Sequence, residues 1–184
     1  MAEHTLLCGL RYVMKKHDAR RLHYDLRLEF NGVLLSWALP VGPSCFPGVN
    51  REAIEMEDHR LENILFEGLH ETGPIMLWDR GLWTPEPDFR EVQNSLQTGI
   101  LRFTLHGERL GGTWTLTRKD AVRHGYQSHW LLCKEADSFA ARPGDPCILQ
   151  QWPNSVLRPE RSLEEIRSYW AHPAPKLPTQ INLF

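Results

Sequence analysis

The sequence predicts a mainly β protein, a compact β-barrel with one or two short flanking helices. Three observations lead there. Residues 21–30 alternate almost perfectly: Leu22, Tyr24, Leu26, Leu28 and Phe30 fall on one side, Arg21, His23, Asp25, Arg27 and Glu29 on the other. That period of two belongs to a strand. Asn31-Gly32 follows and leads into the apolar run 33–39, the pattern of a tight hairpin. Short strand-like segments then recur at even spacing, separated by glycines and prolines.

The remaining elements follow in order. Residues 10–14 alternate weakly and predict a short strand. Pro40, Gly42, Pro43, Pro47 and Gly48 break the chain into a loop. Residues 51–56 and 75–78 read as short strands. Residues 88–97 predict a helix, because Phe89, Val92 and Leu96 sit at helical spacing and Gly99 stops them. Residues 100–106 and 112–118 form a second hairpin around 107–111, and 130–134 is a last strand. Residues 162–170 read as a helix, with Ser162 as N-cap and Glu165 completing a capping box. Trp37, Trp78 and Trp114 sit at strand positions and are assigned to the core.

The chain has 184 residues, enough for one domain with a substantial core. Residues 1–170 are read as that domain. Residues 171–184 differ: Pro173, Pro175 and Pro178 make a stiff linker to an apolar-tipped end. No ligase or polymerase domain fits beside them. A net charge of −2 argues against coating duplex DNA by bulk charge. Clustered cations (Arg11, Lys15, Lys16, Arg20, Arg21 and Arg27) still allow a local basic pocket. Cys8, Cys45, Cys133 and Cys147 are far apart without a CxxC pair, so reduced thiols are expected. No signal peptide and no run of roughly 20 apolar residues is present. The expectation is a soluble cytoplasmic protein with no membrane partner.

The chemistry gathers in one short stretch. His23 and Asp25 are two apart on a strand and point the same way, Arg27 continues the row, and His17 lies at the mouth of that strand. Two imidazoles and a carboxylate can supply three legs of a metal shell with positions left open. This mixed set suits manganese or zinc better than magnesium or calcium. An arginine in the next slot can hold a phosphate oxygen. Spacing alone leaves a second reading open, in which the row is simply the solvated face of a sheet.

Residues 12–44, YVMKKHDARRLHYDLRLEFNGVLLSWALPVGPS, resemble the opening of the 3′-phosphoesterase domain family of bacterial DNA ligase D. The resemblance continues through MEDHRLENILFEG, MLWDRGLW, LRFTLHGERLGGTWTLTR and SVLRPERSLEEI, and it covers most of the chain up to Trp170. It implies a β-barrel with a manganese-dependent site, zinc or another divalent transition metal being the substitute. The implied activity removes a 3′-phosphate or 3′-ribonucleotide from DNA or RNA–DNA ends before synthesis or ligation, as in non-homologous end joining. On this resemblance His17, His23 and Asp25 are metal ligands. Arg27, Arg51 and His59 are the phosphate-contacting and catalytic residues. Lys15 and Asn63 join Arg27 and Arg51 in holding substrate.

The chain also departs from the family pattern. Lys15 replaces a glutamine, Val41 a lysine, and Asn63 a tyrosine. A longer glycine-rich loop is compressed to residues 69–73. His70 falls there and is read as a surface histidine. These changes keep an alternative in view: a catalytically weak, metal-holding module that binds 3′ ends. The tail, Gln180-Ile181-Asn182-Leu183-Phe184, resembles the pentapeptide by which bacterial repair proteins bind the replicative sliding clamp. On that resemblance Gln180, Leu183 and Phe184 contact the clamp and tether the domain near the nucleoid.

Overall fold

The structure is a computed structural model and describes residues 9–119 and 127–171. The tail and its prolines therefore lie outside the described residues. So does Cys8.

Among the described residues nine strands run β1 (Leu10–Asp18), β2 (Leu22–Phe30), β3 (Val33–Leu39), β4 (Arg51–Arg60), β5 (Gly68–His70), β6 (Gly73–Glu86), β7 (Ile100–Gly107), β8 (Gly111–Arg118) and β9 (His129–Lys134). Three α-helices join them among the described residues: α1 (Val92–Thr98), α2 (Ile148–Gln151) and α3 (Leu163–Ala171). All the pairings are antiparallel, in the order β1-β2-β3-β4-β9-β8-β7-β6, and β6 returns to pair with β1. Eight strands therefore close a barrel, which leaves no long unpaired edge. Strand β5 adds to the free end of β6. The predicted β-barrel is what forms.

The local signals explain the elements. Asn31 and Gly32 take positive φ of 47° and 80°, as the hairpin turn requires. Gly99 ends α1 in the left-handed region at φ 86°. At the start of α3 the Glu165 amide donates to the Ser162 hydroxyl at 3.1 Å. Several elements are longer than predicted. β1 reaches Asp18 rather than residue 14, β4 reaches Arg60, and β6 covers Gly73–Glu86. The helix around 88–97 divides into a 3-10 turn at Phe89–Glu91 followed by α1. Strand β5 and helix α2 were not predicted.

Alternation sends one row of side chains into the barrel. Tyr12, Met14, Tyr24, Leu26, Leu28, Trp37, Trp78, Trp83, Phe103, Trp114, Leu116 and Trp130 pack there in one cluster. The three tryptophans assigned to the core, Trp37, Trp78 and Trp114, are 0–1% exposed. The opposite row faces outward but is not left open. Val13, Leu34, Ile64 and Leu77 form a second small cluster, with Leu61 and Val156 packed against it. Residues 61–66 thus roof part of the outer face. Glu67 fixes that roof: its carboxylate accepts from the Leu77 amide, the Ser155 hydroxyl and Arg161. Among the described residues no helix is long and apolar enough to cross a membrane. Cys45, Cys133 and Cys147 are free thiols.

Candidate metal centre and phosphate cleft

The outward row of β1, β2 and β3 lines a cleft of about 390 Å³. Lys15 and His17 come from β1; His23, Asp25 and Arg27 from β2; Ser36 from β3; and Met56 and His59 from β4. Asn63 and Phe66 close it from the roof, His70 from β5 and Thr72 from the turn after β5.

His17 stands within β1 rather than at a strand mouth. It is directly across from His23 in the β1–β2 ladder and across from Ile75 in β6. Pairing on both edges fixes a segment whose own alternation is weak. The two imidazole rings lie 4.8 Å apart between centroids. One donor atom each from His17, His23 and Asp25 fall within 4.8 Å of one another. Donors around a common ion at about 2.1 Å sit roughly 3–4 Å apart, so a small contraction makes a shell.

Hydrogen bonding supports that fit. His23 Nδ1 donates to the Arg21 carbonyl at 3.0 Å, which leaves a lone pair on Nε2. This Nε2 faces Asp25 Oδ1 at 3.4 Å. A lone pair and a carboxylate facing each other need a cation between them. A proton can serve, and the Asp25 hydrogen bond accordingly raises the His23 pKa above its ordinary value. A divalent metal can take the same place. Burial pushes the Asp25 pKa up, but the His23 hydrogen bond and the Arg27 charge outweigh it and hold the carboxyl below its usual range. Burial, with the neighbouring His23 adding to it, lowers His17.

The row read as possibly solvated is in fact covered. Asp25 is 8% and Arg27 7% exposed. Arg27 Nη2 reaches Asp25 Oδ2 at only 3.4 Å, and Arg27 Nε is buried without a partner among the described residues. A buried guanidinium N–H with nothing to donate to points to an anion. Lys15 is 1% exposed. Its ammonium donates to the Asn63 carbonyl at 2.6 Å and lies 5.7 Å from the Phe66 ring centre. Burial first, and the Arg27 charge second, lower its pKa to about 7. Asn63 thus meets Lys15 through its backbone.

His59 is oriented by a residue the sequence reading missed. Ser36 Oγ donates to the Leu34 carbonyl at 2.9 Å. Its one proton is then used, so at 3.0 Å it accepts from His59 Nδ1–H. The ring also hydrogen-bonds the Glu57 backbone, and with the proton on Nδ1 the lone pair of the neutral ring is on Nε2. Burial, then the Arg27 charge, hold the His59 pKa below its ordinary value.

One assigned residue stands apart from the others. Arg51 does not line the cleft. It pairs with Leu132 and shares the strand side of Ala53, which packs into the barrel, whereas the cleft is on the other face. Its Nε is also buried without a partner among the described residues. His70 is exposed, as read, and its ring stands edge-on to His17 with centroids 6.3 Å apart. Val41, 55% exposed, lies outside the cleft.

With this geometry in hand, the chain can be placed among known proteins. Residues 15–118 match the family model for the DNA ligase D 3′-phosphoesterase domain. The chain belongs to this family. Relatives include the multifunctional non-homologous end joining protein LigD of Pseudomonas aeruginosa, 46% identical over 159 residues, which cover 84% of this chain and 18% of that protein. The LigD of Mycobacterium tuberculosis is 38% identical over 120 residues, covering 62% of this chain and 15% of that protein. That of Mycolicibacterium smegmatis is 36% identical over 144 residues, covering 73% and 18%. The chain therefore spans less than a fifth of the length of these LigD proteins. The match to the 3′-phosphoesterase domain spans every cleft residue named above.

Proposed function

We propose that the chain is a metal-dependent phosphoesterase that trims DNA or RNA–DNA 3′ ends, removing a 3′-phosphate or a 3′-ribonucleotide in bacterial end joining. The observation that carries this reading is the buried, under-donated Arg27 guanidinium beside the His17–His23–Asp25 cluster. A site for a cation and a site for an anion adjoin in one cleft. Family membership supplies the chemistry.

His17, His23 and Asp25 would hold manganese, with zinc or another divalent transition metal as the substitute. The chemistry such an ion supplies is Lewis acidity toward a phosphoryl oxygen. Arg27 and Lys15 bind the phosphate and offset the charge that builds on it. His59 is neutral near pH 7, because its pKa is held down, so its Nε2 accepts a proton rather than supplying one. In this assignment it receives the proton of the attacking water. The water oxygen bonds to phosphorus, the bond to the 3′ oxygen breaks, and that oxygen leaves as a hydroxyl by taking up the equivalent of the proton that His59 received. Proton and metal compete for the gap between His23 and Asp25. Manganese affinity should therefore rise with pH through the raised His23 pKa.

A second reading is favoured by the position of Arg51 outside the cleft and by Val41 in place of a lysine. In it the chain binds 3′ ends and turns them over weakly. One assay separates the two. Primer-templates ending in a 3′-phosphate or a 3′-ribonucleotide are incubated with manganese and the wild-type chain or His23→Ala. Cleavage that vanishes in the variant establishes the enzyme. End binding without cleavage leaves the binding module.

The tail motif adds a proposed partner. Gln180, Leu183 and Phe184 would dock on the bacterial sliding clamp through a proline-rich tether and keep the domain at the nucleoid. Loss of clamp binding on Leu183→Ala with Phe184→Ala, measured by surface plasmon resonance, tests it.

A further inference from the structure

Beside His17 sits a small hydrogen-bonded unit that no role above accounts for. The Thr72 hydroxyl lies 2.9 Å from His17 Nε2 and 2.9 Å from His70 Nδ1. The direction of both bonds follows from a third. The Thr72 amide N–H donates to His70 Nδ1 at 3.4 Å, so that nitrogen carries a lone pair and no proton. The Thr72 hydroxyl therefore donates its own proton to His70 Nδ1. Its oxygen is left as an acceptor toward His17, and the proton on neutral His17 resides on Nε2.

The position of the unit is built into the fold. Strand β5 pairs with β6 at Gly68↔Ile75, and Ile75 pairs on its other side with His17. Gly73 follows Thr72 with φ 137°, and a Cβ there would overlap the Asp18 carbonyl oxygen. Only glycine lets this turn press so closely on the end of β1. The unit lies in the short segment that carries β5 into β6.

We propose that Thr72 and His70 form an outer relay that keeps the His17 proton on Nε2, so that His17 presents Nδ1 to the metal. His23 is held the opposite way, with its proton on Nδ1 and Nε2 presented. Thr72 and His70 are positioning residues, acting through His17. Such partners of a metal-bound histidine typically account for about 10- to 100-fold in metal affinity. The inference rests on the metal reading above.

The test measures binding of manganese alone by calorimetry, with thermal unfolding as a folding check. His23→Ala should abolish binding. Thr72→Val, which keeps the shape and loses the hydroxyl, should weaken it by about tenfold or more. Thr72→Ser should restore wild-type affinity, and His70→Ala should fall between. In the metal-free protein, imidazole 15N shifts should report the Nε2–H form of His17 in wild type and Thr72→Ser, and a mixture in Thr72→Val. Thr72→Val binding within twofold of wild type while His23→Ala binds nothing would overturn the relay and spare the metal site. A wild-type chain that binds no manganese would overturn both.

Discussion

Strand β2 has two faces, and they solve the same problem by different means. Tyr24, Leu26 and Leu28 turn into the barrel and are closed by other apolar side chains. His23, Asp25 and Arg27 turn outward, and two of the three are nearly as buried. The inner face gains stability from each group it removes from water. The outer face pays for burial in shifted pKa values and in an Arg27 N–H without a partner. A row of charges that is covered yet incompletely satisfied marks a place prepared for a ligand. Alternation alone reveals the two rows but not that both are buried. The cover comes from the roof at 61–66, far along the chain.

Substitutions on the two faces should separate cleanly. The largest effect on chemistry is expected for His23→Ala. Turnover of a 3′-phosphate end should fall to background, while the thermal midpoint hardly moves. The mirror experiment is Leu26→Ala, on the same strand with its side chain in the barrel. It should cost about 2–5 kcal/mol in urea unfolding and leave manganese affinity of the folded fraction unchanged. Loss of metal binding in Leu26→Ala at full folding would show that the faces are not independent. Ser36→Ala should be milder. Losing one orienting hydrogen bond is worth about 1 kcal/mol, so kcat should drop by roughly tenfold or less with KM little changed. An unchanged kcat would remove Ser36 from the orientation of His59. The smallest effect is expected for Lys15→Gln, a rise in KM of about threefold confined to low pH. Lys15 titrates at about 7, is charged below that value and neutral above it. Wild-type affinity for the phosphate should therefore decline as pH rises through about 7, and the variant should lack that decline.

Much of this was legible, for local reasons. The β2–β3 hairpin follows from alternation and one Asn-Gly turn, and it carries two of the three metal-ligand candidates. Ser36 was legible too, though it was overlooked. Counting outward from the turn places it opposite Arg27, as the ladder shows. The run Lys15-Lys16-His17-Asp18 has no alternation of polarity, because its strand character is imposed by β2 and β6 on its two edges. Thr72 and His70 carry no sequence signal, since a three-residue strand and the turn after it have no period to detect. Arg51 shows the opposite failure. A motif transferred along the chain said nothing about which side of β4 the residue occupies: eight residues from His59 it would share that side on an unbroken strand, but a register shift near Met56 puts it on the barrel side.

The double pairing of β1 also bears on the order of assembly. Its contact with β2 is made within a single hairpin, whereas its contact with β6 must wait for a long loop to close, at a higher entropic cost. Pulse-labelled hydrogen exchange should find the β1–β2 amides protected before those that join β1 to β6. The three ligand candidates would then meet while the barrel is still open. The vestibule around them would be a later addition, raised over a centre already in place.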